Sequence, residues 1–260
     1  MRVLFAQSWI AQSDDVVLLH EPGRYPVAYF PKADIDAELL NLSGRTTQHT
    51  ELSPTDWYAV KLGDHEAARG AWEHSQLPSF ADILSDRVAF AWHAMDAFYE
   101  EDERIVGHAA DPYHRIDIRQ TSRELTVHTG ETLIASSHRP LVLYESGFAP
   151  RWYLPREDVT DAPLAPLEQQ AFCPYKGLCG YYDVNGIARA AWSYRDPYTE
   201  VQRIGDFISF EPDKVRVMID GNRLRPAPGQ HVVSHGPDRG LTPDEVTRPL
   251  PADQTSTASS

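Results

Sequence analysis

Residues 10–35, "IAQSDDVVLLHEPGRYPVAYFPKADI", return without a gap at 134–159 as "IASSHRPLVLYESGFAPRWYLPREDV". Ten of the 26 aligned positions are identical, among them Glu21/Glu145, Gly23/Gly147, Tyr29/Tyr153, Pro31/Pro155 and Asp34/Asp158. Ordinary residue frequencies would give roughly two. The register persists, with Tyr58 and Val60 falling on Tyr182 and Val184. After a loss of four residues, "GAWEH" at 70–74 meets "AAWSY" at 190–194, and Asp86 and Phe90 meet Asp206 and Phe210. A chain so constrained is two tandem copies of one small domain, each of a size that can fold alone. The expected organisation is a first repeat over 1–94, a connection over 95–122, a second repeat over 123–224 and a tail over 225–260.

Strand signals dominate both copies. "ELTVHTGETLIAS" alternates about Thr129-Gly130, "YYDVNGIARAAW" turns at Asn185-Gly186, and "KVRVMIDGNRL" turns at Asp220-Gly221; all three read as hairpins. Short helices are expected at "DPYTEVQRIGD", with Asp196 as cap and Pro197 in the first turn, and at its counterpart "LPSFADILSD". Pro31 and Pro155 are expected to open single helical turns. Residues 92–101 read as a short helix or strand and 102–114 as a connecting loop. The fold class is therefore mainly β: two tandem small domains of antiparallel sheets with one short helix each. Beyond about residue 225, Pro, Gly, Ser, Thr and Asp prevail, and such a segment is expected to be disordered because it cannot bury enough to offset its ordering entropy.

The charge balance removes some classes of partner. A formal net charge of −14 repels phosphate backbones, and no basic run offsets it locally, so nucleic acid is not an expected partner. No stretch approaches the length of a membrane span, and "MRVLFAQSWIAQSDD" turns polar too early for a signal-peptide core. Two cysteines make no disulfide framework, and reduced thiols in the cytoplasm are the expectation.

Both cysteines lie in "FCPYKGLCGYYDV", residues 172–184. Here the copies diverge: against Cys173, Pro174, Lys176 and Gly177 the first copy has His49, Thr50, Leu52 and Ser53. Loss of one cluster amid a retained framework points to a division of labour, with the second copy as the working one. An ammonium near Cys173 would favour the thiolate, which is the nucleophilic form. Core packing of the thiol is the plainer reading. Lys176 is either a ligand-facing cation or a partner for Glu145 or Asp183, and Cys179 either a resolving thiol or a small buried residue. Tyr153, Tyr181, Tyr182, Trp192 and Tyr194 are candidates to line a pocket; neighbours on a strand face opposite sides, so Tyr181 and Tyr182 cannot share one core. Arg156, matched by Lys32, is a candidate anion contact or a salt-bridge partner. The acidic run 100–103 with His93, His108, Asp111 and His114 lacks zinc-ligand spacing, so neither a metal nor a cofactor is expected.

"WYLPREDV", "CPYKG", "YYDV", "AAWSYRDP" and "FISFEPDKV" together resemble the family named domain of unknown function 427 in its two-copy arrangement, over roughly residues 2–220. The resemblance implies a bacterial protein with a β-tent fold, an architecture that often carries a zinc on two Cys-x-x-Cys pairs; this chain has no such pair. It also brings a nucleotidyltransferase-like label, which no phosphate-cradling glycine loop or pair of metal carboxylates supports here. The leading expectation is a module that binds a small polar ligand in the second repeat through Lys176, Cys173, Arg156 and the five aromatics. The alternatives are an enzyme with Cys173 as nucleophile tuned by Lys176, and a protein-interaction scaffold.

Overall fold

The structure, a computed structural model, describes residues 1–21, 25–160 and 164–225. The tail from 226 onward lies outside the described residues. The chain divides into two compact units, Met1–Ala109 and a second that begins at Ala110. Each is built almost entirely from antiparallel strands in one small and one large sheet.

In the first unit the small sheet orders its strands as Glu103–Ile105, Ala97–Glu100, Arg2–Phe5 and Ser8–Gln12. The large sheet runs Val17–Leu19, Val27–Pro31, Arg87–Phe90, His65–His74, Ser53–Leu62 and Leu40–His49. The second unit repeats both orders. Asn222–Arg223, Arg216–Ile219, Leu125–Thr129 and Thr132–Ser137 form its small sheet. Leu141–Glu145, Arg151–Leu154, Ile208–Phe210, Ile187–Tyr194, Gly177–Val184 and Leu164–Cys173 form the large one. The 124-residue spacing in the sequence is thus a repeated topology.

The three expected hairpins form; two of their turns are left-handed at both residues, and at Thr129-Gly130 Gly130 alone is, with φ of 57°. Asn185 and Gly186 have φ of 48° and 78°, and Asp220 and Gly221 have 49° and 74°. Pro31 and Pro155 each precede a single helical turn, Lys32–Asp34 and Arg156–Asp158. The longer helical segments, Ser79–Leu84 and Thr199–Ile204, are six residues of 3-10 helix. The second starts later than the sequence suggests. Tyr198, not Asp196, is its cap residue, because the Tyr198 amide donates to the Lys176 carbonyl at 3.3 Å and keeps the preceding residues extended.

Within the expected connection, Ala97–Glu100 takes the strand alternative, Glu103–Ile105 is a strand where a loop was expected, and Ile116–Gln120 is a further strand. Ala97–Glu100 pairs with Arg2–Phe5 and completes the first repeat's small sheet, while Ile116–Gln120 pairs with Leu141–Glu145 as an added edge of the second repeat's large sheet. Between the sheets of each repeat lies an apolar core. Val3, Phe30, Val60 and Phe98 centre the first; Leu125, Leu154, Val184 and Ile208 centre the second. Burying such side chains contributes roughly 1.5–3 kcal/mol each. Each large sheet carries a further cluster on its other face, around Tyr29 and Trp72 in the first repeat and around Tyr153 and Tyr194 in the second.

Candidate functional site

The outer face of each large sheet is organised by a tyrosine and a tryptophan that the repeat preserves. Trp72 Nε1 donates to the Tyr29 hydroxyl at 3.2 Å, and Trp192 Nε1 donates to the Tyr153 hydroxyl at 3.3 Å. Both tyrosines are about 1% exposed. Burial pushes both phenols far above their ordinary range, so each is a fixed neutral hydroxyl. The preserved glutamates, Glu21 and Glu145, each hold a basic side chain from the diverged loop.

In the second repeat that side chain is Lys176. Its ammonium lies 2.5 Å from Glu145 Oε1, with each side chain 9% exposed, and His114 Nε2 lies 3.0 Å from the same oxygen. His114 stacks on Tyr175 at 3.8 Å, and the Tyr175 hydroxyl accepts from the Asp111 amide. Gly177 has φ of 89°, and a Cβ there would meet the Asp196 carbonyl at 3.6 Å. That contact is ordinary, so the glycine of "CPYKG" is called for by its left-handed backbone, against which the chain's own 196–198 segment packs.

The eight candidate residues divide between two faces. Tyr153, Tyr194, Cys173, Tyr181 and Trp192 meet on the outer face together with Cys179. Tyr182 belongs to the core on the other face. Arg156 follows it there, donating to the Tyr182 hydroxyl at 2.8 Å with its guanidinium 5.3 Å from the ring centre. The first repeat places Lys32 over Tyr58 in the same way, at 5.8 Å, so this cation-on-ring contact is part of the framework. Tyr181 faces the opposite way under Arg189, 4.4 Å from its ring centre. Both cysteines are free thiols; burial pushes the Cys179 thiol up to about 12.

The first repeat supplies the residues that the sequence reading passed over. A cavity of about 450 Å³ opens on its outer face, lined by Glu21, Tyr29, His49, His74, Trp57 and Trp72 among others. His49, which stands where the second repeat has Cys173, lies with Nε2 3.2 Å from Glu21 Oε1. Its Nδ1 accepts from the amides of Glu51 and Leu52, both at 3.1 Å, which fixes the ring proton on Nε2. His74, which stands where the second repeat has Tyr194, is 2.9 Å from the Tyr29 hydroxyl through Nε2 and 3.3 Å from Thr55 Oγ1 through Nδ1. All four ring nitrogens therefore have protein partners. Arg45 and Arg69 also line the cavity, and their guanidiniums have no side-chain partner among the described residues. The signal available in the sequence was the alignment itself, with His49 and His74 at two positions where the copies differ.

No group of three or more histidine, cysteine, aspartate or glutamate side chains among the described residues is placed to hold a metal ion. No helix among them is long and apolar enough to cross a membrane.

The deciding comparison is with protein families. The model of the family described as domain of unknown function DUF427 matches residues 1–101 and again residues 117–221. The chain belongs to this family. It is a two-copy DUF427 protein, and the two matched segments coincide with the two repeats of the fold. A comparison with curated proteins returns no match.

Proposed function

We propose that this DUF427 protein is a binding module for a small polar ligand held at the Glu–Tyr–Trp framework on the outer face of a large sheet. The observation that carries the reading is the first repeat's cavity, which two exposed arginines without a side-chain partner among the described residues, Arg45 and Arg69, line together with Trp57, Trp72 and Tyr29. Such an arrangement favours a planar anion: arginine pairs carboxylates in a bidentate manner, and the indoles supply contact area. The imidazoles of His49 and His74 are engaged within the protein, which supports a holding role for them over proton transfer to a ligand.

The second repeat keeps the framework with Lys176 and Cys173 at its edge, and a ligand there would contact Tyr153, Tyr181, Trp192 and Tyr194. The Lys176 charge is answered by Glu145, which weakens both its pull on an anion and its leverage on the Cys173 thiol. Binding in the first repeat is therefore the better supported site, and the cysteine-enzyme reading is the weaker alternative. Titration of the purified chain with phthalate, followed by tryptophan fluorescence, tests the proposal. Saturable quenching that Arg45→Ala and Arg69→Ala each weaken, and that Lys176→Ala leaves in place, is the expected result. Quenching lost in Lys176→Ala but kept in both arginine variants would move the site to the second repeat. No saturable response to phthalate or to inorganic phosphate would remove the anion reading.

A further inference from the structure

The second repeat contains a cavity of its own, about 510 Å³, and it lies in a different place from the outer-face framework. None of the eight residues singled out from the sequence lines it. Its walls are core residues from between the two sheets, Leu125, Val127, Leu154, Phe210, Pro212 and Val217. Strand pairing shows why space is left here. In the first repeat Val3 pairs with Phe98, and in the second the equivalent Val127 pairs with Val217. Phe98 stacks flat on Trp92, with ring centres 3.8 Å apart and planes within 5°. The second repeat has Pro212 in place of Trp92 and Leu154 in place of Phe30. Three large aromatics of the first core are thus a proline, a valine and a leucine in the second. Trp152, in place of Ala28, returns part of that volume as one wall of the opening.

Charge at the opening is asymmetric. Arg123 Nε pairs with Asp220 at 2.6 Å, and Arg151 pairs with Glu211 at 3.4 Å. Arg225 also lines the cavity. The other two arginines are held by carboxylates, with Asp213 beside Glu211 on the same segment, so Arg225 is the lining guanidinium left without a side-chain partner among the described residues.

We infer that this cavity is a second binding site, for a monocarboxylate with an apolar body, seated tail-first between the sheets with its carboxylate on Arg225. A dianion would overmatch that one guanidinium, and a neutral alkane would leave it unused. Core positions normally pack at crystal-like density, so an apolar cavity of this size is a departure that a ligand would fill.

The experiment is calorimetric titration of the full chain with octanoate, with octanol and octylamine as matched probes. Octanoate is expected to saturate and to bind at least about tenfold tighter than either matched probe, since the charged contact separates them. Arg225→Ala is expected to weaken octanoate about tenfold and to leave octanol unchanged. The double change Pro212→Trp and Val217→Phe, which rebuilds the first repeat's stack, is expected to abolish binding. Should that variant fail to fold, Leu154→Phe, the first repeat's own residue, replaces it as the blocking change. Octanoate that fails to saturate by millimolar concentration, binds no better than octylamine, or binds the blocked variant unchanged overturns the inference. So does octanoate that binds only after the residues beyond Arg225 are removed, because the chain itself would then occupy the cavity.

Discussion

Replacing Lys176 by Met isolates the role of the buried pair at the centre of the second repeat's loop. The change keeps the length and apolar stem of the side chain and removes its ammonium from Glu145, whose own side chain is only 9% exposed. Removing one partner of a buried ion pair ordinarily costs about 3–5 kcal/mol, because the other charge is left without compensation. Here His114 remains 3.0 Å from the same oxygen and supplies part of that compensation. The expected loss is therefore about 2–3 kcal/mol. For a unit of roughly a hundred residues this lowers the melting temperature by about 8–15 °C. Adding Glu145→Gln removes the stranded charge, and the double variant is expected to lie within about 1 kcal/mol of the parent. Scanning calorimetry of the parent, the two single variants and the double variant measures the coupling directly. A loss below about 0.5 kcal/mol in Lys176→Met would place the pair in the class of solvated surface contacts and refute the reasoning. Strict additivity across the cycle would do the same.

Three further outcomes follow from other parts of the fold. Gly70→Ala would set a Cβ 2.7 Å from Val60 Cγ2; a loss of about 1–3 kcal/mol in denaturant unfolding is expected. Ala190, at the equivalent position of the second repeat, is already accommodated, so the reverse change there should cost only about 1 kcal/mol. Native labelling with iodoacetamide at pH 8 should spare Cys179, whose thiol burial has pushed up to about 12, and mass spectrometry should find both thiols modified only after unfolding. Asp158 is drawn below the usual carboxylate range: burial opposes ionisation, and hydrogen bonds from Arg139 and Ser137 outweigh it. Its contribution to stability is present at neutral pH and is lost as pH falls from about 4 through its lowered value, so the parent and Asp158→Asn should converge in stability toward pH 2.

The repeat was legible in the sequence because identity at Glu21/Glu145, Tyr29/Tyr153 and Pro31/Pro155 sits where the fold needs one residue type. Hairpins were legible for a local reason, since Asn185-Gly186 and Asp220-Gly221 favour the left-handed backbone on their own. Strand alternation also foretold that Tyr181 and Tyr182 face opposite ways. It could not say that Arg156 would follow Tyr182, which separates two candidate residues from the rest. Sequence left Ala97–Glu100 open between helix and strand because its partner lies far away in the chain, and Ile116–Gln120 was hidden because its partner lies beyond the small-sheet hairpin of Leu125–Thr129 and Thr132–Ser137. The second repeat's inner cavity was hidden for a deeper reason. It arises from side-chain volumes summed across facing strands, with Val127 beside Val217 where the first repeat has Val3 beside Phe98, and no single stretch of sequence carries that sum. His49 and His74 were visible as differences between the copies, yet their meaning depends on Glu21 and Tyr29, which only folding brings near.

The edge strand Ile116–Gln120 has a practical consequence for anyone separating the halves. A fragment starting at Arg123, as the repeat alignment alone would suggest, strips Leu141–Glu145 of its outer neighbour and takes away Ile118, whose carbonyl also receives Arg203 at 2.7 Å. The naked backbone so created is a template for joining another molecule edge to edge, and such a fragment should precipitate or form dimers. Excision ahead of Ala110 keeps that hem sewn, and a soluble monomeric half should result.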